Sequence, residues 1–309
     1  MKRLYFTLTL VAAICVCAVM TISAWEDERE REKEIRFRFQ MVIFPGDTFT
    51  QLLGINDFQV IAGYHGSGAD AQHPNKGFTL VLPDDFISEN FPNSAQTQVI
   101  GINNRRFTDG FFIDVAGITH GFLDLDGAFT AVDFPGTTMN QLLGLNNFDQ
   151  AAGFFADAAN IDHAYIFDNN GGVFFVLTIP VATGGAQATG INDKGSISGI
   201  FIDNAGKTHG FLIAKGEFIV LDFPGAISTS AFGLNNEDDV VGDFMDAAGR
   251  THGFIFDDRE FQQVDDPQGV GTTIINGINN RGDIVGFFVD AKGNTDGFVA
   301  TPQGGRERE

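Results

Sequence analysis

The stretch "GLNNEDDVVGDFMDAAGRTHGFIF", Gly233 to Phe256, places five acidic residues and a histidine among glycines, a composition typical of a catalytic or metal site. Its spacing, however, recurs along the chain. Six units begin with "GIND" or a close variant, at Gly54, Gly101, Gly144, Gly190, Gly233 and Gly277. Successive starts are 47, 43, 46, 43 and 44 residues apart. The stretch is therefore one copy of a structural repeat.

Each unit contains four short segments rich in Val, Ile, Leu and Phe. A second glycine follows the first by nine residues in every unit, and a third segment such as "THGFL" or "THGFIF" comes next. A fourth segment, such as "FTAVDFPG" or "FIVLDFPG", leads into the following unit. Clusters of Asn, Asp, Gly and Pro separate the segments, which predicts strands joined by turns.

The segments are apolar on both faces, so both faces of each four-stranded sheet must pack against neighbours. A propeller meets this requirement with a repeat of this length. The chain has an early "FRFQMVIFPG", which matches the fourth segment, and it ends after a third segment, "TDGFVA". We therefore predict an all-β, six-bladed propeller over residues 35–301, closed by residues near Arg36 to Phe44 joining the blade that starts at Gly277.

The "GxN" motif, the glycine nine residues after the first, and the "H-small-aromatic" motif together resemble the HAF-repeat family of extracellular proteins, named for His-Ala-Phe. The motifs are "HGF" at His120, His209 and His252, and "HAY" at His163. Two units depart from the pattern, with "DGF" at Asp296 and "KGF" at Lys76. The resemblance covers most of the chain after its N-terminal segment. It implies export and a repeated β architecture, and it implies no settled activity.

The N-terminus has the three parts of a secretory signal: Lys2 and Arg3, an apolar run from Leu4 to Met20, and small residues up to Ala24. We predict a signal peptide over 1–24, a charged linker over 25–34 and a polar tail over 302–309, so the protein would be secreted to the exterior or the periplasm. The alternative is an uncleaved anchor, since the run is near the lower length limit of a spanning helix. If the signal peptide is cleaved, the mature protein is not expected to be stably inserted in a membrane.

The 309 residues carry a formal net charge of −21. A protein with this excess of negative charge repels nucleic acid and anionic lipid, and we expect neither as a partner. The expected partner is an extracellular ligand or protein, bound by a monomer. No cofactor is required by any motif, although Ca²⁺ is a possible ligand for the acidic surface.

Five aspartates recur before the second hairpin of the units: Asp114, Asp157, Asp203, Asp246 and Asp290. If those hairpins share a face with the "FPG" loops, the carboxylates could circle one end of the channel and hold a cation. The alternative is ordinary turn chemistry, in which each Asp accepts N–H groups of its own hairpin. The spacing favours this alternative, and no EF-hand-like motif supports calcium binding.

The repeated histidines are expected to stabilise neighbouring turns, because equivalent positions on successive blades cannot converge on one metal. The repeated "GxN" asparagines are expected to serve the blade for the same reason. His65 and His73 lie outside the repeated positions and are the unit-specific candidates for function. Asp243 also lacks counterparts in the other units and has no assigned role.

No sequence motif indicates a reaction. G-x-S-x-G, H-E-x-x-H, Walker and Rossmann motifs are absent from the sequence. Trp25, Tyr64 and Tyr165 are the only Trp and Tyr residues after the signal segment, which argues against a glycan-binding surface built on those rings. We therefore predict a non-enzymatic binding module, with a hydrolase or lyase using acids of the channel face as the alternative. A plugged channel with repeat-symmetric lining would count against the enzyme, whereas a deep channel lined by converging, unit-specific polar residues would favour it.

Overall fold

A computed structural model describes residues 35–68 and 73–303. These residues form 24 strands and no helix. In chain order, the strands are β1 (Arg36–Val42), β2 (Thr50–Ile55), β3 (Val60–His65), β4 (Lys76–Val81), β5 (Asp85–Ser88), β6 (Gln96–Ile102), β7 (Thr108–Ile113), β8 (Thr119–Leu125), β9 (Ala128–Val132), β10 (Asn140–Leu145), β11 (Gln150–Ala156), β12 (Asp162–Asp168), β13 (Val173–Val176), β14 (Ala186–Ile191), β15 (Ile197–Ile202), β16 (Thr208–Ala214), β17 (Glu217–Leu221), β18 (Ser228–Leu234), β19 (Val240–Met245), β20 (Thr251–Asp257), β21 (Glu260–Gln263), β22 (Thr273–Ile278), β23 (Ile284–Val289) and β24 (Thr295–Gln303).

The strands form six antiparallel sheets of four, each a blade of the ring. Five blades follow chain order: β2 to β5, β6 to β9, β10 to β13, β14 to β17 and β18 to β21. The sixth has the order β1-β24-β23-β22, so the first strand of the chain completes the last blade. The predicted six-bladed propeller and its closure by the N-terminal strand are confirmed. Because β1 pairs with β24, the sixth blade has four strands like the other five.

The first glycine of each unit lies near the end of the innermost strand, where the pairing with the second strand shifts register. The six glycines pack closely around the axis. A Cβ on Gly144 would lie 2.9 Å from the Thr189 carbonyl oxygen of the next blade, and one on Gly233 would lie 2.7 Å from the Asn276 carbonyl oxygen. The glycines are therefore required by close approach of the innermost strands.

Aromatic rings fill the spaces between blades. The Phe of each "FP" loop stacks on the second strand of the following blade, as in Phe91 on Phe112 at 3.7 Å and Phe223 on Phe244 at 3.6 Å between ring centroids. The aromatic residue of each "HGF" segment is completely buried, Phe122 being one example. The abundant Phe residues thus form the interfaces between blades, as sheets buried on both faces require.

The turns follow the expected chemistry with one difference. In the second hairpin of four blades, a glycine such as Gly117 or Gly249 has a positive φ. In the "GxN" hairpin the residue with positive φ is Gly195 or Gly282 in two blades and Gln59, Arg106, Asp149 or Asp238 in the other four. Side-chain capping by the preceding Asn stabilises the turn, so glycine is dispensable there.

The main body of the chain is Arg38–Thr301. The remainder, described only at residues 35–37 and 302–303, contains the outer ends of β1 and β24. In the described part of the chain, no helical segment has the length and hydropathy needed to cross a membrane. The predicted signal peptide, charged linker and most of the polar tail lie outside the described residues.

Candidate functional site: the axial funnel

A polar cavity of about 90 Å³, here called the axial funnel, opens at the end of the ring where the "GxN" hairpins meet. Each blade contributes three consecutive residues, an apolar one followed by two polar ones. The polar lining is Asn56, Asp57, Asn103, Asn104, Asn146, Asn147, Asn192, Asp193, Asn235, Asn236, Asn279 and Asn280. Deeper along the channel, past the glycines, a second cavity has a more apolar lining that includes Leu53, Ile100 and Leu143.

The first polar residue of each blade is the Asn of the "GxN" motif, and together these six form the inner ring. Each Nδ2 donates to the backbone carbonyl of the equivalent Asn in the next blade, over 2.8–3.4 Å, and the sixth closes the circle. Each Oδ1 accepts two N–H groups of its own hairpin, as Asn103 does from Arg105 and Phe107. Asp could accept but could not donate, so this position requires Asn.

The second polar residue of each blade forms an outer ring with a different rule. Its backbone N–H donates to the Oδ1 of the equivalent residue in the next blade, at 2.8–2.9 Å around the whole circle. The other side-chain atom is an amide nitrogen in four blades and a carboxylate oxygen in two. Asn and Asp both have an Oδ1 that can accept this backbone N–H. This explains why the position holds Asn in four units and Asp in two.

The two carboxylates of the outer ring lie three blades apart, and each has an Asn on both sides. Asp57 Oδ2 accepts Nδ2 groups of Asn104 and Asn280, both at 2.8 Å. Asp193 Oδ2 accepts Nδ2 groups of Asn147 and Asn236, at 2.8 and 2.9 Å. Two neighbouring Asp residues would face acceptor to acceptor, so the spacing keeps the ring satisfied.

The funnel is electronegative. No Lys, Arg or His belongs to its lining, whereas Asp57 and Asp193 do. Burial opposes ionisation of Asp193, but hydrogen bonds from Asn236 and Asn147 outweigh it and lower the pKa of Asp193. Asp193 is therefore ionised over the physiological range and is a weak proton acceptor. The lining can hydrogen-bond neutral or cationic groups.

Two phenylalanines stand on the rim of the funnel, one residue beyond its polar lining. Phe58 follows Asp57 and Phe148 follows Asn147 in the hairpins of the first and third blades. Their exposed fractions are 68% and 59%, whereas most Phe residues of the chain are buried or half-buried. Arg105 occupies the equivalent position of the second blade and pairs with Asp149. The hairpins around the funnel thus carry two exposed aromatic side chains next to the amide and carboxylate groups of the lining.

The five predicted turn aspartates lie at the opposite end of the blades. Their hairpins share a face with the "FPG" loops, because His120 at the base of one hairpin contacts Asp133 of such a loop at 3.0 Å. Each Asp Oδ1 accepts N–H groups two and four residues later in its own turn. For Asp114, the Ile118 N–H and the His120 ring hold the pKa below its ordinary value.

The structure does not bring those five carboxylates together. Among residues 35–68 and 73–303, no three Asp, Glu, His or Cys side chains are grouped so as to hold a metal ion. Asp114, Asp157, Asp203, Asp246 and Asp290 each have the local hairpin partners of turn chemistry. Neither axial cavity has any of them in its lining.

Three of the repeated histidines bridge two turns of their own blade, and the fourth, His163, contacts Asp157 of its hairpin. His209 contacts Asp203 at 3.3 Å through Nε2 and Asp222 at 2.8 Å through Nδ1, and it stacks on Phe201. His120 and His252 have the same arrangement. These contacts tie hairpin to loop, which is the structural role expected for them.

The unit-specific histidines have different surroundings. His65 takes the position of the stacked second-strand aromatic: its ring lies 3.6 Å from that of Phe44, and Nδ1 is 2.9 Å from Asp47 Oδ2. Burial opposes ionisation of Asp47, but the His65 contact helps to lower its pKa. His73 lies in the irregular loop, where its carbonyl accepts the Gly68 N–H.

Four acidic groups occupy unit-specific positions that sequence reasoning left unassigned: Asp109 and Asp124 are buried, and Glu89 and Asp243 are half-buried. Burial raises the pKa of Asp109, of Glu89 and of Asp243 to about 7 in each case, and it also raises the pKa of Asp124. Asp243 faces Ser230 on the innermost strand, with which it hydrogen-bonds. A signal was available in the sequence, since each acid replaces a residue that is uncharged in all other units.

Known proteins resemble this chain in fold only. No family model and no curated protein sequence matches it. AofleA from Arthrobotrys oligospora has a TM-score of 0.51 at 13% identity, over 87% of this chain and 84% of that one. Aleuria aurantia lectin, solved with alpha-methyl-L-fucoside, has a TM-score of 0.50 at 7% identity, over 82% and 93%. TolB from Acinetobacter baumannii has a TM-score of 0.51 at 10% identity, over 85% and 66%.

Proposed function

We propose that this protein is an exported, non-enzymatic binding module of the HAF-repeat type, and that it binds a neutral polyhydroxylated ligand of the sugar class at the axial funnel. One observation carries the proposal: the mouth of the channel joins a ring of amide and carboxylate groups to two exposed Phe rings. Polar groups that converge beside aromatic faces are the usual composition of a small-molecule site.

The hydrogen-bonding capacity of the funnel supports a polyhydroxylated ligand. Each outer-ring Asn has one amide N–H committed to a carboxylate and keeps a second N–H. Carboxylate oxygens next to these amides accept hydroxyl protons. Donors and acceptors therefore alternate around the mouth, and the apolar face of a sugar ring would pack on Phe58 or Phe148.

The charge of the funnel supports a ligand without negative charge. Asp57 and Asp193 line the cavity without a cationic neighbour in that lining, and the whole chain is strongly acidic. Aleuria aurantia lectin, a propeller of similar fold, was solved with a fucoside. At 7% identity this likeness concerns the fold, so the ligand class proposed for the present chain rests on the funnel itself.

The alternative, a hydrolase or lyase, receives little support from the channel. Acid–base catalysis requires two groups whose pKa values are set apart for proton donation and acceptance. Both acids of the funnel accept three N–H groups, and the lining repeats from blade to blade. A repeat-symmetric lining favours binding.

A carbohydrate screen tests the proposal. Mature protein is tested for binding to an array of neutral and acidic glycans, and hits are titrated. We expect Phe58→Ala and Phe148→Ala to weaken binding on the order of tenfold each. Phe175→Ala, which removes an exposed Phe from the outermost strand β13, should have no effect. Equal binding by all three variants, or no binding to neutral glycans, would rule out the funnel as a sugar site.

Two further measurements separate the remaining parts of the proposal. Mass analysis of the bound glycans after long incubation should find them intact, whereas cleaved products would favour the enzyme. Intact-mass analysis of protein recovered from the culture medium should show a chain that starts near Trp25. Retention of residues 1–24 in the membrane fraction would instead indicate an uncleaved anchor.

A further inference from the structure

The interface between the first and second blades contains polar side chains at positions where the next interface is apolar. Glu89 follows the outermost strand of the first blade, and Thr108 and Asp124 lie on β7 and β8 of the second. At the next interface, the equivalent positions are filled by the buried hydrophobic residues Val132, Ala151 and Phe167, which belong to one core cluster. This polar group, here called the interblade carboxylate pair, occurs in one blade interface only.

The three side chains face one another. Thr108 Oγ1 donates a hydrogen bond to Glu89 Oε1 across the interface. Thr108 is also the cross-strand partner of Asp124, and directly opposed residues project from the same face of a sheet. Asp124 therefore projects toward the first blade, beside the hydroxyl that holds Glu89.

One carboxylate oxygen at this interface has no partner. The side chain of Asp124 is 8% exposed, and its Oδ1 is buried without a hydrogen bond. The Gly127 N–H bonds this carboxylate but leaves that oxygen unsatisfied. A buried carboxylate oxygen without a donor costs free energy unless a cation or water supplies the missing contact.

The pair also lacks a protein counter-charge. In the described part of the chain, no Lys, Arg or His forms an ion pair with Glu89 or Asp124. Burial raises the pKa of Glu89 to about 7, and the Asp124 charge adds to the increase. Two adjacent buried carboxylates are stable when they share a proton or when a cation neutralises both.

We propose that Glu89, Thr108 and Asp124 bind a hydrated divalent cation of the Mg²⁺ or Ca²⁺ class between the first two blades. All the ligand atoms are oxygens, which these cations prefer, and no Cys or His is present to favour zinc. Two carboxylates match the charge of one divalent ion. With one hydroxyl besides them, the protein supplies part of a coordination shell, and water completes it.

A cation at this site would link the first two blades by ionic contacts, at positions where the next interface has hydrophobic packing. A bound ion joins the outer strand of the first blade to the second and third strands of the next blade. This inference does not depend on the ligand of the axial funnel.

The test measures thermal unfolding and isothermal titration with Ca²⁺ and with Mg²⁺, each against chelator, at about pH 8. We expect a rise in Tm and one ion per chain in wild type. Asp124→Asn should reduce the affinity on the order of tenfold or more. Asp203→Asn, which alters one of the turn aspartates, should bind like wild type. Loss of the response in Asp203→Asn, with retention in Asp124→Asn, would overturn the assignment.

A second variant remains informative if single substitutions destabilise the chain. Glu89→Val, Thr108→Ala and Asp124→Phe together copy the residues of the neighbouring interface, so this variant should fold and be stable without metal. We expect it to lose the response to both cations. Wild type that responds to neither cation would show that the pair shares a proton and would refute the cation site. A full response in the triple variant would do the same.

Discussion

Asp109 offers a direct measurement of what a buried carboxylate does to this propeller. Its side chain on β7 is completely buried, and its Oδ1 accepts the Gly101 N–H at 2.8 Å. Its Oδ2 has no partner. Equivalent positions in other blades hold Ala62, Ala152 and Ser198. Burial raises the pKa of Asp109 from 3.8 to about 7.

The sign and size of the pH effect follow from this difference. The folded-state pKa lies above the unfolded value, so the folded protein holds a proton that the unfolded chain releases. The contribution of Asp109 to the free energy of unfolding is therefore most favourable below about pH 4. It decreases as the pH rises towards 7 and is constant above about pH 7. A difference of about 3 pKa units at about 1.4 kcal/mol each corresponds to about 4 kcal/mol.

Asp109→Asn should remove this pH dependence. The amide oxygen can still accept the Gly101 N–H, while the unpartnered amide nitrogen costs about 1–3 kcal/mol at every pH. We expect the variant to match wild type or be less stable at about pH 4.5, and to exceed it by about 1–3 kcal/mol at about pH 8. Urea unfolding at both pH values measures the difference.

A matched control is Asp258→Asn, which changes an exposed Asp at a hairpin between the outer strands of the fifth blade. Its stability should follow wild type across the pH range, because solvated carboxylates have the same surroundings in both states. If Asp109→Asn and wild type differ by a constant free energy from about pH 4.5 to 8, Asp109 does not ionise as inferred.

Three further outcomes follow from the architecture. Gly144→Ala should destabilise the chain by about 1–3 kcal/mol, because its Cβ would meet a carbonyl of the next blade, whereas Gly171→Ala should have little effect in the same urea assay, because its Cβ would meet only the Val173 side chain, at 3.4 Å. Asn235→Ala removes the Nδ2 bond to Asn279 and two Oδ1 bonds within its hairpin, so we expect a loss of about 2–4 kcal/mol; a loss below about 0.5 kcal/mol would show that the inner ring contributes little. Deletion of residues 25–44 removes β1 and should lower Tm sharply in a thermal melt; an unchanged Tm would refute closure by the N-terminal strand.

The spacing and segment pattern of the repeat predict most of the fold. The interval between glycines, the four apolar segments per unit and the missing fourth segment of the last unit together predict a closed ring of six blades. Turn chemistry was equally legible at the second hairpin, where Gly249 has positive φ. These features are local or periodic, so each can be recognised without coordinates.

The candidate site was less accessible to sequence reasoning. The repeated Asn residues were assigned to blade structure, and the inner-ring hydrogen bonds agree with that role. Their position around a cavity was not foreseen. The Trp and Tyr content of the sequence gives no indication of the exposed Phe58 and Phe148. An apolar residue within a polar hairpin turn was the available signal.

The amino-acid sequence by itself determined the number of blades, the strands and turns of each unit and the strand that closes the ring, because these depend on contacts within one repeat or between the two chain ends. Tertiary structure decided which residues of different repeats meet. Asp57 and Asp193 are far apart in the chain and become members of one hydrogen-bonded ring once the blades close. Glu89 and Asp124 become a buried pair because two blades pack face to face. The two proposed sites are formed by these contacts between blades, and no single repeat contains them.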